Sequence, residues 1–84
     1  MNGKHRKTLQ RVFTVPTPTN IEWKEIESLL LAVGCELTEG SGSRVKFTHG
    51  IHTLNLHRPH PMKETIRYQV RDTQAFLEKI GVEP

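Results

Sequence analysis

Between Arg44 and Leu56 the side chains alternate strictly, with a His49-Gly50 pair in the middle. Period-two alternation on both sides of a glycine-containing break predicts a β-hairpin. Gly50 suits the positive φ of a tight turn, so His49-Gly50 is expected as the two-residue loop. Under that register Phe47 faces His52, Val45 faces Leu54 and Ser43 faces Leu56, giving one mostly apolar side. The opposite side pairs Lys46 with Thr53, Arg44 with Asn55 and Gly42 with His57. A one-residue slip would exchange the two sides, so the pattern commits one face to a core and the other to solvent.

The flanking segments supply the cover. Trp23, Ile26, Leu29, Leu30 and Val33 recur at helical spacing, and Gly34 ends the run. Thr19 with Glu22 fits a capping box, and Asn20 is a rival cap. Cys35 and Leu37 alternate with Glu36 as a short strand, and Glu39-Gly40-Ser41-Gly42 reads as a turn. After the two prolines of His57-Arg58-Pro59-His60-Pro61, a second helix is expected, with its start at Glu64 or Tyr68. Ile66, Val70, Thr73, Leu77 and Ile80 mark its apolar side, and Gly81 stops it. Upstream, Leu9, Val12 and Phe13 predict a short amphipathic helix that is marginal alone and must dock. Val15 to Asn20, with two prolines, is an extended connector.

The expected architecture is α+β. It is α-β-β-β-α with a three-stranded antiparallel sheet, both helices on one face, and a short N-terminal helical extension. Residues 1–20 form the basic extension and connector, and residues 21–82 the main domain. A chain of 84 residues, 35% hydrophobic, has a thin core. Its longest apolar run, Leu29 to Val33, is far below a membrane span of about 20 residues. One cysteine and no apolar leader segment fit a cytoplasmic address, with no membrane partner.

Charge is segregated. Residues 1–20 carry Lys4, Arg6, Lys7 and Arg11 without an acid, whereas residues 21–39 hold five acids and one base. Gly40 to Lys63 returns to pure base, with Arg44, Lys46, Arg58 and Lys63 and four of the five histidines. Such a surface either meets a phosphate-bearing partner or is simply solvated. The His49/His52 and His57/His60 spacings lack the cysteines or second pair of a zinc site, so no metal or other cofactor is expected. Cys35 follows a helix C-terminus, where the dipole opposes a thiolate, and reads as a core residue. No Walker or dinucleotide motif is present.

RNA cleavage through the 2′-hydroxyl needs no metal, only a base, an acid and cations on the phosphate. Histidine serves as either base or acid. His57, beside Arg44 across the ribbon, is the first candidate for a catalytic residue, and His60, beyond a stiff proline, the second. The bland reading of both is a surface side chain without a task. Arg44, Lys46 and Asn55, with Arg58, Lys63 and Arg67, are the candidate RNA contacts.

The order helix, Gly34, short strand, EGSGSRVKF, hairpin, HRPHP, Lys63-Glu64 and a last helix closing in Lys79-Ile80-Gly81-Val82 resembles the HicA toxin family over Ile21 to Val82. The resemblance implies a double-stranded-RNA-binding-like fold, mRNA interferase activity and a HicB-like antitoxin partner. Typical members carry Gly-Ser-His-His at the start of the second strand, the first of these histidines being catalytic. Here the positions read Gly42-Ser43-Arg44-Val45. An arginine stays protonated and holds phosphate, but cannot act as a base near neutral pH. Three readings therefore stand: a metal-independent endoribonuclease, a non-catalytic RNA-binding module, and a protein-interaction domain with a basic face.

Overall fold

A computed structural model covers residues 1–84. The elements are α1 (Gly3–Val12), α2 (Trp23–Ala32), β1 (Glu36–Glu39), β2 (Arg44–His49), β3 (His52–His57) and α3 (Arg67–Lys79). The strands form one antiparallel sheet in the order β1-β2-β3, so the α+β arrangement is as the sequence led us to expect.

The hairpin register differs from the expected one by two residues. His49 pairs with His52, Phe47 with Leu54, Val45 with Leu56, Lys46 with Asn55 and Arg44 with His57. The turn is therefore Gly50-Ile51 rather than His49-Gly50. Gly50 has φ of 62° and Ile51 does not leave negative φ. That sign pattern is the one a type II′ turn requires, with glycine first. Ile51 stands 94% exposed at the tip and contributes nothing to the core. Because the shift is even, each residue keeps its face. Val45, Phe47, Leu54 and Leu56 are buried, and Arg44, Lys46, Thr53, Asn55 and His57 are exposed.

The buried face packs into one core with Ile26, Leu29 and Leu30 of α2 and Val70, Phe76 and Leu77 of α3. Trp23 at the head of α2 meets Phe47 at a ring-centroid distance of 6.3 Å and a tilt of 53°, within the range of favourable aromatic pairs. The N-terminal segment docks as expected. Leu9 and Val12 of α1 enter the same core, and α1 lies against α2 and α3. Its hold is reinforced at the surface. Arg11 bridges Glu25 at 3.2 Å and donates to the Asn20 carbonyl at 2.9 Å, and His5 Nε2 lies 2.8 Å from Ser28 Oγ.

Both helix starts are set by a tertiary pairing that local capping signals do not reveal. Trp23 N–H donates to Lys63 O at 2.8 Å, and Thr65 N–H donates to Ile21 O at 2.7 Å. Residues 21–23 and 63–65 thus run as a short antiparallel bridge. The extended backbone this demands displaces the N-cap of α2 from Thr19 to Glu22, whose N–H is taken by the Glu25 carboxylate at 3.0 Å. It also delays α3 until Arg67, leaving Ile66 outside the helix and exposed rather than on its buried stripe.

Of the four buried polar residues, Thr8, Thr65, Gln69 and Thr73, the glutamine joins α3 to the sheet. Gln69 on α3 is 3% exposed. Its Oε1 accepts from His57 N–H at 2.6 Å, and its Nε2 donates to His57 O at 3.0 Å. His57 ends β3, and its backbone groups face away from β2, so the side-chain amide stands in for a missing neighbouring strand. Gln69→Ala would orphan a backbone donor and acceptor and should lower folding stability by about 2 kcal/mol. Thermal unfolding followed by circular dichroism checks this, and an unchanged midpoint would show that the clamp is dispensable. Cys35 is buried, and burial pushes its thiol pKa up from 9.0. Alkylation by iodoacetamide at pH 8 should therefore be at least about tenfold slower in the folded protein than in urea, because the thiolate is the reactive form.

Candidate functional site

The open face of the sheet presents side chains that the core does not use. At the end remote from the Gly50 turn, Arg44 and His57 sit directly opposite each other. The backbone places them closer than the expected register does. Arg58 N–H bonds to Ser43 O at 2.9 Å, so 43 and 58 form the hydrogen-bonded pair and 44 and 57 the pair beside it. In that kind of pair the side chains approach more nearly, with Cβ atoms about 4.5–5.5 Å apart. Lys46 and Asn55 form the next exposed pair along the ladder, hydrogen bonding again being offset from them. The acid on this face, Glu36, is paired with Thr48 at the turn end, away from Arg44 and His57.

Beyond β3 the chain passes through Pro59 and Pro61 to the bridge at residues 63–65. This loop and the start of α3 enclose a shallow cavity of about 250 Å³, bordered by both His57 and His60. The two candidate catalytic histidines thus open onto one space. Gln69 borders the same cavity while clamping the His57 backbone, so the point from which the His57 side chain leaves β3 is held from α3.

Of the candidate RNA contacts, Arg44, Lys46, Asn55, Lys63 and Arg67 are exposed, and none of the four cations among them takes part in an ion pair. Arg58 is different. It bridges Glu27 of α2 at 3.3 Å and also binds Glu39 of β1. The hydrogen bond to Glu39, opposed by burial and reinforced by Glu27, pushes the guanidinium pKa further up. Its charge is therefore engaged by two carboxylates from other elements, and it ties the loop to the domain. Lys63 lies at the bridge beside the head of α2, and Arg67 begins α3.

Two residues of this region escape a reading by residue type. Gln69 is one, since a glutamine on a helix ordinarily faces water. Tyr68 is the other: it is 53% exposed and borders the cavity with His57. A signal for Tyr68 was present, as an aromatic residue beside Arg67 at a helix start, but aromatic residues are read as core by default.

The structure offers no cluster of three or more histidine, cysteine or acidic side chains suited to a metal ion. No helix is long and apolar enough to cross a membrane. No curated protein and no solved structure matches the chain. A family model described as HicA toxin of bacterial toxin-antitoxin matches residues 23–82, which takes in α2, the whole sheet and α3. With most of its length so matched, the chain belongs to the HicA toxin family.

Proposed function

We propose that this toxin binds single-stranded mRNA across the open sheet face and cleaves it without a metal ion. The observation that carries the reading is the direct pairing of His57 with Arg44 on an exposed, basic face, with His60 on the same cavity. Residues 21–82 form the RNA-binding unit, and residues 1–20 brace it from behind through α1. Family membership supports a cognate antitoxin partner, which we read as HicB-like, and a cytoplasmic setting fits an mRNA substrate.

The chemistry follows from the residue types. His57, neutral, takes the proton of a 2′-hydroxyl as its oxygen attacks the adjacent phosphorus. The phosphorus–O5′ bond breaks, and His60, protonated, delivers a proton to the departing 5′-oxygen. The products are a 2′,3′-cyclic phosphate and a 5′-hydroxyl end. Arg44 is permanently charged and donates to the phosphate oxygens as negative charge builds there. Lys46, Lys63 and Arg67 hold flanking phosphates, and Asn55 offers an amide to base or ribose. Arg58 supports the loop, its charge already held by Glu27 and Glu39.

His57→Ala should reduce cleavage of a single-stranded RNA in EDTA-containing buffer by at least about 100-fold, the scale of a lost general base. RNA affinity should stay within a few-fold. Unchanged cleavage would remove His57 from the mechanism. Arg44→Ala should weaken binding and flatten its salt dependence, reducing the slope of log affinity against log salt by about 0.7 for one lost phosphate contact.

A second reading is favoured by one position. Arg44 stands where typical family members carry the catalytic histidine, so the face retains cation and loses that base. A non-catalytic RNA-binding module would show the same salt-sensitive affinity with no product ends from pure protein. Measuring binding and cleavage on one RNA separates the two.

A further inference from the structure

We propose that the cavity beside His57 is a nucleobase subsite, in which one unstacked base of the bound RNA lies against the ring of Tyr68. The proposal rests on the RNA reading above and specifies which part of the nucleotide each region takes.

The walls of the cavity decide the chemistry of its occupant. Pro59, Pro61, Met62, Ile66 and Tyr68 border it, so its surface is largely apolar. Met62, Ile66 and Tyr68 are 60%, 46% and 53% exposed, a concentration of apolar surface that the core does not use. Ile66 is held out of α3 by the 21–23/63–65 bridge, and Tyr68 lies in the first turn of that helix. The volume, about 250 Å³, is below the range of about 300–1,000 Å³ typical of drug-sized ligands and suits a single ring system.

Charge then separates base from phosphate. Glu64 also borders the cavity and has no ionic partner. Apolar walls and a carboxylate repel a phosphate but accept a neutral base, whose exocyclic amino or ring N–H groups the carboxylate can receive. The arginine on its border, Arg58, already has its charge held by Glu27 and Glu39, and the other permanent cations lie outside, with Arg44 and Lys46 on the sheet and Arg67 at the start of α3. A single strand laid over Arg44 and His57 thus meets cations for its backbone and an aromatic ring for one base. That combination is how sequence-tolerant single-strand binders work.

The placement gives the subsite a role. Because His57 borders it, a base seated on Tyr68 anchors the nucleotide whose ribose or phosphate lies at the histidine. The stack then fixes register along the strand, which phosphate contacts alone leave free to slide.

The test uses full-length protein and a fluorescent 2′-O-methyl RNA octamer, which cannot be cleaved through the 2′-oxygen. Tyr68→Ala should weaken binding by about tenfold, a typical loss for one base–aromatic stack, while Tyr68→Phe retains affinity within about twofold. In the unmodified protein, an abasic residue at one position of the octamer should cause the same loss, and in Tyr68→Ala that abasic residue should cause no further loss. Circular dichroism melting confirms that the exposed substitution leaves the fold intact. If Tyr68→Ala binds as tightly as the unmodified protein while Arg44→Ala binds more weakly, the subsite is wrong and the RNA reading survives. If the unmodified protein binds no RNA at low salt, both are overturned. If Tyr68→Ala leaves RNA binding unchanged but abolishes binding to the antitoxin, the patch is a protein dock and the subsite is refuted.

Discussion

Burial of one face of the β2–β3 hairpin is the constraint on which the rest of the molecule depends. A two-stranded ribbon is marginal in water by itself. Here Val45, Phe47, Leu54 and Leu56 turn it into one wall of a core whose other wall is α2 and α3. Each side chain placed in that wall sends its neighbour to the opposite side. The exposed row of Arg44, Lys46, Asn55 and His57 is thus a geometric consequence of the buried row. Substitution along it alters chemistry with little effect on packing. The thinness of this core also explains α1, whose Leu9 and Val12 add apolar volume where α2 and α3 leave room.

The sheet has an edge at β3, and its treatment links fold to site. An exposed edge presents unpaired backbone groups. At His57 these are taken by the Gln69 side chain through two hydrogen bonds. A buried glutamine is costly unless both ends of its amide are satisfied, and a backbone N–H and C=O of one residue match it in spacing and polarity. The clamp therefore couples the last residue of β3 to α3. A movement of that helix would carry His57 with it relative to Arg44, which belongs to the central strand.

Much of this was legible in the sequence, and the failures have specific causes. The face assignment of every hairpin residue came from parity alone, which survived a turn displaced by one position and a register displaced by two. The turn itself was misplaced because Ile51 is β-branched and reads as strand, whereas the glycine at the first turn position is what sets the backbone. The cap of α2 and the start of α3 were out of reach for another reason. Both depend on residues 21–23 meeting residues 63–65, a contact between segments about 40 residues apart. The engagement of Arg58 is similar, since Glu27 and Glu39 lie on other elements and no local pattern joins them. Gln69 was hidden because helical periodicity treats a polar residue as outward-facing. The basic, histidine-rich character of the Gly40–Lys63 stretch needed no register at all.

The same ladder geometry bears on the proposed reading in which Arg44 stands at the family's histidine position. In an antiparallel pair without direct hydrogen bonds between its members, opposed side chains leave their strands from points about 5 Å apart and on the same side. That separation is less than the reach of an arginine or the span of a ribose phosphate. A proton acceptor on β3 therefore addresses nearly the same volume as one on β2, provided that the β3 residue is held still. The Gln69 clamp holds the backbone of His57, and with it the origin of that side chain. Under the proposed mechanism the two strands divide the work: Arg44 holds the phosphate from the central strand, and His57 takes the proton from the edge. On that proposal, arginine at the family's histidine position would add a charge without removing the base, because the proposed base, His57, stands directly across the ladder.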